Sequence, residues 1–396
     1  MKTRSYDVII VGAGPSGAEC ARVLGASGAR VLLLDKKKPG WHKPCGGGVS
    51  EKVLRNFDVP LSLAFETAGV RVSDAKGRSV VAPIRFVDVR RDRFDEFLSS
   101  DAAARGVEVR LQASVQKLSR TAEGFEVETR EETYRSSYLV GADGFSSTVR
   151  ERLFSERIDA DCAAIALEAW YEWDHGVRHL DFFLEAELLP LGYAYAFPRD
   201  ERTIAIGIAG LEIERPREVL ARLLALPRYK ALTGGREQTA VHGARIPYRP
   251  LSKVREGRLL LCGDAAGLNT PLVFAGIPIA LRSGNIAGKL LAESIRRGSD
   301  APLDGYTVPA LAAASWSFRA CHAYWDHLVE HGAPPGLITF LAETCQSARE
   351  IPSLTVTWRM LKRMSAAIDP VRARRFGQRN VPAVSSSAHA SLPTSP

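Results

Sequence analysis

Residues 6–35 read YDVIIVGAGPSGAECARVLGASGARVLLLD. Val8, Ile9, Ile10 and Val11 form a short, β-branched apolar run, the pattern of a strand buried on both faces of a parallel sheet. The run enters Gly12-Ala13-Gly14-Pro15-Ser16-Gly17, after which Ala18, Ala21, Val23 and Leu24 set a helical period. A second apolar run, 31–34, ends at Asp35. Gly12 permits the tight turn, Gly14 lets a pyrophosphate approach the backbone, and Gly17 lets the helix pack on the strand. The helix start then offers N–H groups and a positive dipole end to the phosphates. Asp35 stands where a carboxylate accepts hydrogen bonds from a ribose. Glycines recur in ordinary turns, so the spacing alone is weak. Strand, helix, second strand and acid in this order make it a dinucleotide site.

The 396 residues leave room for two closely joined domains. No apolar run approaches the length of a membrane span, and the first strand starts too early to leave space for a signal peptide. Six cysteines (Cys20, Cys45, Cys162, Cys262, Cys321, Cys345) are scattered without a CxxC pair. Reduced thiols in a cytoplasm are therefore expected, with no disulfide framework and no zinc. The net charge of +8 favours anionic partners such as phosphates or a lipid surface. Nucleic acid is not expected, because no nucleic-acid motif appears.

Residues 36–50, KKKPGWHKPCGGGVS, hold too much glycine, proline and lysine for a strand or helix. Gly46, Gly47 and Gly48 bare a patch of backbone that suits a flat ring or a phosphate. A flexible surface loop is the alternative, but Trp41 and Cys45 would be odd in one. A hairpin around Gly77 and a helix over 91–105 follow, with Phe94, Phe97 and Leu98 inward. A strand at 137–140 runs into Gly141-Ala142-Asp143-Gly144. After residue 158 successive β segments cover 163–173, 178–184, 193–197 and 203–208, with a helix over 216–226. Tyr193, Tyr195 and Phe197 fall at period two, on one strand face. That face is either a ligand wall or ordinary core. A strand at 258–262 meets Gly263-Asp264-Ala265-Ala266-Gly267, and a helix over 276–295 follows. Further helices are expected beyond 304. His327 and His331 lie one turn apart without a third ligand, so no metal is expected. Arg359, Lys362, Arg363, Arg372, Arg374 and Arg375 beside Trp358, Leu361 and Met364 read as a solvated face or, more sharply, as a membrane-surface contact.

Three separated motifs, GAGPSG with Asp35, GADG with Arg150, and GDAAG opening a late helix, together resemble the FAD-dependent oxidoreductases of the p-hydroxybenzoate hydroxylase fold. Within that group, Lys43-Pro44-Cys45-Gly46-Gly47-Gly48 resembles the KxCGGG loop of geranylgeranyl reductases. Residues 263–284 look like their GDAAGxxxPxxGEGIxxAxxSG, and residues 193–198, YAYAFP, like their YxWxFP. Phe274-Ala275-Gly276 replaces Gly-Glu-Gly, and Tyr195 replaces Trp.

The resemblance implies an α/β fold with an α+β insert. A Rossmann-type FAD-binding domain (1–157 and 250–300, with small inserted strands near 68–90) would carry an antiparallel-sheet substrate domain (158–249). A helical C-terminal region (301–380) and a disordered tail (381–396) complete it. It also implies FAD held by Gly12, Gly14, Pro15, Ser16, Gly17, Asp35, Lys36, Arg91, Asp143, Gly144, Gly263 and Asp264, with Cys45, Gly46, Gly47, Gly48, Gly276 and Ile277 at the ring. Tyr193, Tyr195, Phe197 and Phe274 would line a lipophilic, prenylated substrate, with Tyr193, Tyr195 and Cys45 the catalytic candidates. NADPH or NADH would be a transient electron donor, a separate reductase or a ferredoxin the alternative. The expected activity is reduction of isoprenoid C=C bonds by hydride from reduced FAD. The rivals are a monooxygenase acting on a prenylated aromatic (quinolone or quinol type) and a flavin carrier to membrane quinone. The absence of WxWxIP disfavours a halogenase. The expected location is the cytoplasm, with peripheral contact at the inner face of the cell membrane.

Overall fold

The computed structural model describes residues 3–322 except 78, 83–84, 160–162, 186, 272, 316–317 and 320–321. His327, His331, the basic C-terminal stretch and residues 381–396 lie outside the described residues.

The strand Thr3–Val11 sits at the centre of the first sheet because its residues are apolar on both faces: Val8, Ile9 and Ile10 are fully buried. Val31–Leu34 pairs parallel on one side and Thr133–Gly141 parallel on the other. Glu108–Arg110 extends the sheet beyond Val31–Leu34, and Leu259–Leu261 extends it beyond Thr133–Gly141, both parallel. The connections between parallel strands carry helices, as a Rossmann-type sheet requires. An antiparallel hairpin, Lys117–Arg120 with Phe125–Glu128, hangs from Thr133–Gly141.

The helix Ile277–Arg297 lies against the helix Pro15–Ala26 at glycine contacts. A Cβ on Gly284 would stand 2.0 Å from the Ser16 carbonyl oxygen, and one on Gly288 2.8 Å from Val23 Cβ. Spaced four apart, the two glycines share one helix face and let the axes approach closely. This contact holds the end of the late helix beside the residue 12–17 loop.

The second sheet has seven strands among the described residues. In order they are Ala240–Pro247, Ala163–Glu172, Thr203–Gly210, Gly192–Pro198, Leu180–Leu184, Val70–Asp74 and Ser79–Ala82. The hairpin around Gly77 thus joins this sheet through a parallel pairing of Val70–Asp74 with Leu180–Leu184. One face, with Ala194, Ala196, Ile204, Ile206 and Ile208, packs on Leu220, Leu223 and Tyr229 of the helices Pro216–Leu224 and Pro227–Thr233. Alternation sends Tyr193, Tyr195 and Phe197 to the other face, where they meet Leu180, Phe182, Val70 and Phe86.

Residues 36–50 are not loop throughout. Gly48–Ser50 pairs antiparallel with Phe86–Val89, which also pairs with Ala64–Glu66. Glycine is weak in strands, yet here its missing side chain makes room: a Cβ on Gly48 would stand 3.0 Å from Leu180 Cδ1. The strand Ala240–Pro247 and the helix Pro227–Thr233 were not anticipated from the sequence.

Candidate functional site

The residue 12–17 loop presents bare backbone for steric reasons that differ by position. Gly12 has φ +105°, and a Cβ there would stand 2.3 Å from the Ala142 oxygen. A Cβ on Gly17 would stand 1.9 Å from the Gly12 oxygen. Gly14 instead faces space, the nearest atom to a Cβ being Arg91 Nη2 at 4.0 Å. Gly14 is also the N-cap of Pro15–Ala26, and no side chain caps that end. Arg91 is buried and held by Asp95 through Nε at 2.8 Å and Nη2 at 2.7 Å. Burial opposes the Arg91 charge, but Asp95 and then Cys45 outweigh it. An open glycine, a helix N-terminus and a guanidinium thus meet at one point, and this donor set fits the pyrophosphate of a dinucleotide.

The three carboxylates expected at the cofactor are placed differently. Asp35 Oδ2 accepts from the Ala13 N–H at 2.7 Å and Oδ1 from the Lys37 N–H at 2.8 Å, so it braces the loop itself, while Lys36 is exposed. Asp143 turns onto the helix Thr148–Leu153, accepting from Ser147 Oγ and from the N–H groups of Thr148 at 2.6 Å and Val149 at 3.2 Å. What the GADG loop offers a ligand is therefore backbone, with Gly144 open in front of it. Asp264 accepts from Lys43 Nζ at 2.9 Å, tying the GDAAG turn to the KPCGGG loop. A Cβ on Gly263 would meet Ser16 Oγ at 2.8 Å and one on Gly276 would meet Asn269 Nδ2 at 2.5 Å. Ile277 is buried at the start of the late helix.

Beneath the three glycines lies a buried charged network that the sequence reading did not single out. Arg199, with no exposed side-chain surface, donates to Asp88 at 2.9 Å and to Glu168 Oε2 at 2.7 Å. It also donates to the Gly46 and Cys45 carbonyls at 2.7 and 2.8 Å. Gly47, at φ +68°, is seated on this network: a Cβ would stand 2.6 Å from Arg199 Nη1 and from the Val89 oxygen. Burial pushes the Asp88 carboxyl up to about 7 despite Arg199. Burial opposes Glu168 too, but Arg199, His42 and Tyr195 outweigh it and hold Glu168 down to about 2. One signal was available: Glu168 is a charge inside the apolar run AAIALEAW, and a buried charge needs a partner.

Tyr195 donates to Glu168 Oε2 at 2.9 Å, and Tyr193 donates to the Val273 oxygen at 2.9 Å. Burial pushes both phenols above their ordinary range. Phe274 stacks on Tyr193 at 6.1 Å and 23°, from a left-handed backbone at φ +49° that a non-glycine residue adopts only under strain. Phe197 packs on Tyr195 at 4.8 Å and on Phe182 at 5.0 Å, and a Cβ on Gly46 would stand 3.1 Å from its ring. The structure thus brings Tyr193, Tyr195, Phe197, Phe274 and the CGGG loop together. Cys45 is half-buried, its Sγ accepting from the Gly47 N–H at 3.5 Å.

The family pattern described as FAD binding domain matches residues 5–318. Digeranylgeranylglycerophospholipid reductase of Methanococcus vannielii is 30% identical over 314 residues, covering 74% of this chain and 78% of that one. Geranylgeranyl diphosphate reductase of Rhodobacter capsulatus is 30% identical over 318 residues, covering 75% and 78%. The chain belongs to the geranylgeranyl reductase family of FAD-binding proteins. The same fold is seen in a geranylgeranyl bacteriochlorophyll reductase-like protein of Thermoplasma acidophilum, with TM-score 0.77 at 21% identity, covering 92% of this chain and 97% of that one. For a geranylgeranyl reductase family member, FAD is the dinucleotide that the residue 12–17 loop is shaped to take. The Phe274-Ala275-Gly276 departure from the family pattern falls on the segment that reaches the aromatic face, through Val273 and Phe274. No described helix is long and apolar enough to cross a membrane.

Proposed function

We propose that this chain is an FAD-dependent reductase of C=C bonds in the isoprenoid chain of a lipophilic substrate. The observation that carries the reading is the packing of Tyr193, Tyr195, Phe197 and Phe274 beside the CGGG loop: an apolar wall next to the segment assigned to the ring. The relatives named as reductases of geranylgeranyl compounds support it.

Gly12, Gly14, Pro15, Ser16 and Gly17 with Arg91 would hold the pyrophosphate. Asp35, Lys36 and the backbone at Asp143 and Gly144 would hold the adenosine side, and Gly263 and Asp264 the ribityl chain. Cys45, Gly46, Gly47, Gly48, Gly276 and Ile277 would border the ring. When bound and reduced, FAD supplies the hydride. The aromatic face would orient the chain and exclude water, and Tyr195 would supply the proton. NADPH or NADH serves as electron donor. The substrate's lipophilicity favours peripheral contact at the inner membrane face, through the basic stretch near Trp358.

Ala275 in place of the family's glutamate, with the bulk of Phe274 beside it, favours a second reading, oxygenation of a prenylated aromatic. One experiment separates them: NAD(P)H oxidation followed with an oxygen electrode and a panel of prenylated substrates. Reduction gives substrate-dependent NAD(P)H oxidation and a product two hydrogens heavier. Oxygen uptake with a product gaining one oxygen overturns it. Flotation with anionic vesicles, falling as salt rises, checks the membrane contact.

A further inference from the structure

His42 precedes the KPCGGG run, and its side chain is nine-tenths buried, yet neither ring nitrogen makes a hydrogen bond. Its Nε2 lies 3.5 Å from Glu168 Oε1. Its ring is wedged against Trp170 at 4.5 Å and His242 at 5.0 Å. Arg199 Nε, in the same network, is also buried without a partner. Buried polar atoms are ordinarily hydrogen-bonded, so these exceptions in one network call for an explanation. A clasp made of Arg199, Asp88 and Glu168 does not need an unbonded imidazole beside it.

The contacts form a line. His242 is half-exposed on the edge strand Ala240–Pro247. His42 comes next, then Glu168, whose other oxygen receives the Tyr195 hydroxyl at 2.9 Å. The Tyr195 ring belongs to the apolar wall. Gly207, paired with Tyr195 across the sheet, clears the hydroxyl's place: a Cβ there would stand 2.5 Å from it. The other charged groups facing this line are Arg199, Asp88, Arg90 over the Trp170 ring, and Asp92.

We propose that His42 and Glu168 are positioning residues that resupply Tyr195 with the proton it gives to the substrate alkene. The inference rests on the reductive reading above. Saturating one C=C bond takes a hydride on one carbon, which comes with the reduced cofactor, and a proton on the other. The Tyr195 O–H bond breaks as the C–H bond forms. Glu168 passes a proton to the phenolate oxygen, and the His42 imidazolium gives its own to Glu168. His42 is recharged from solvent by way of His242. Glu168 is ionised at rest and carries the proton only in transit.

The test uses FAD-loaded enzyme with ¹⁵N-histidine and ¹³Cζ-tyrosine, Tyr195 being assigned from Tyr195→Phe. The Tyr195 Cζ signal should move with the same midpoint as His42, and stop doing so in Glu168→Gln and His42→Ala. A Tyr195 signal that stays flat while His42 titrates overturns the proposal. In anaerobic steady-state turnover, excess dithionite keeps the enzyme reduced while it consumes a C20 polyprenyl alcohol. The wild-type rate should fall above the His42 midpoint. His42→Ala and His42→Gln should be about a hundredfold slower and flat with pH, with unchanged KM and flavin absorbance, and imidazole should partly rescue His42→Ala. Wild-type rate and pH profile in both variants overturn it. If the wild type itself makes no saturated product while Tyr195 tracks His42, the reductive reading fails and the proton line stands.

Discussion

Arg199 donates to Glu168 at 2.7 Å, and neither side chain exposes more than 1% of its surface. The guanidinium also reaches Asp88 and two carbonyls of the KPCGGG loop, so one cation ties that loop to both smaller sheets. Removing the charge strands two buried carboxylates. Arg199→Met should cost about 3–5 kcal/mol in urea unfolding of the FAD-loaded protein.

Asp88 gives a pH signature. Its carboxyl is raised to about 7 when folded, against about 3.9 unfolded, so the folded state binds the extra proton between those values. Stability from this group is complete below about pH 4 and is lost as pH rises through 7. Glu168, held down to about 2, acts oppositely: its contribution is present above about pH 4.3 and is lost as pH falls toward 2. Thermal melts of Asp88→Asn should therefore be flatter than wild type between pH 4 and 7.

Gly14 and Gly17 should separate binding from folding. Gly17→Ala puts a methyl 1.9 Å from a backbone oxygen, so loss of soluble protein is expected. Gly14→Ala meets nothing nearer than 4.0 Å, so the apoprotein should melt normally while FAD, followed by absorbance after gel filtration, binds at least tenfold more weakly.

Gly207→Ala tests the Tyr195 placement. The new methyl would stand 2.4 Å from the Tyr195 ring and force the hydroxyl off Glu168. Destabilisation of about 1–3 kcal/mol is expected, and a crystal structure of the variant should show the Tyr195–Glu168 bond broken.

The dinucleotide end of the molecule was legible because its causes are local. A turn that needs φ +105° at Gly12, a helix start, and apolar runs buried on both faces are written in adjacent residues. The period-two aromatics Tyr193, Tyr195 and Phe197 announced their shared face for the same reason. What that face opposes is not local. Asp88, Glu168 and Arg199 come from three strands or strand ends far apart in sequence; Glu168 shows in its apolar run that it needs a partner, but nothing local says that the partner is Arg199. The glycine run shows the same division. Its sequence declares that side chains are excluded, but only the fold decides what excludes them: Phe197, Leu180 and the Arg199 guanidinium. Likewise Asp143 reads as a cofactor ligand from its motif, and the helix that begins five residues later takes its carboxylate. Short-range sterics and hydrophobic period determine elements and their faces, whereas the pairing of buried charges depends on long-range packing that no single stretch encodes.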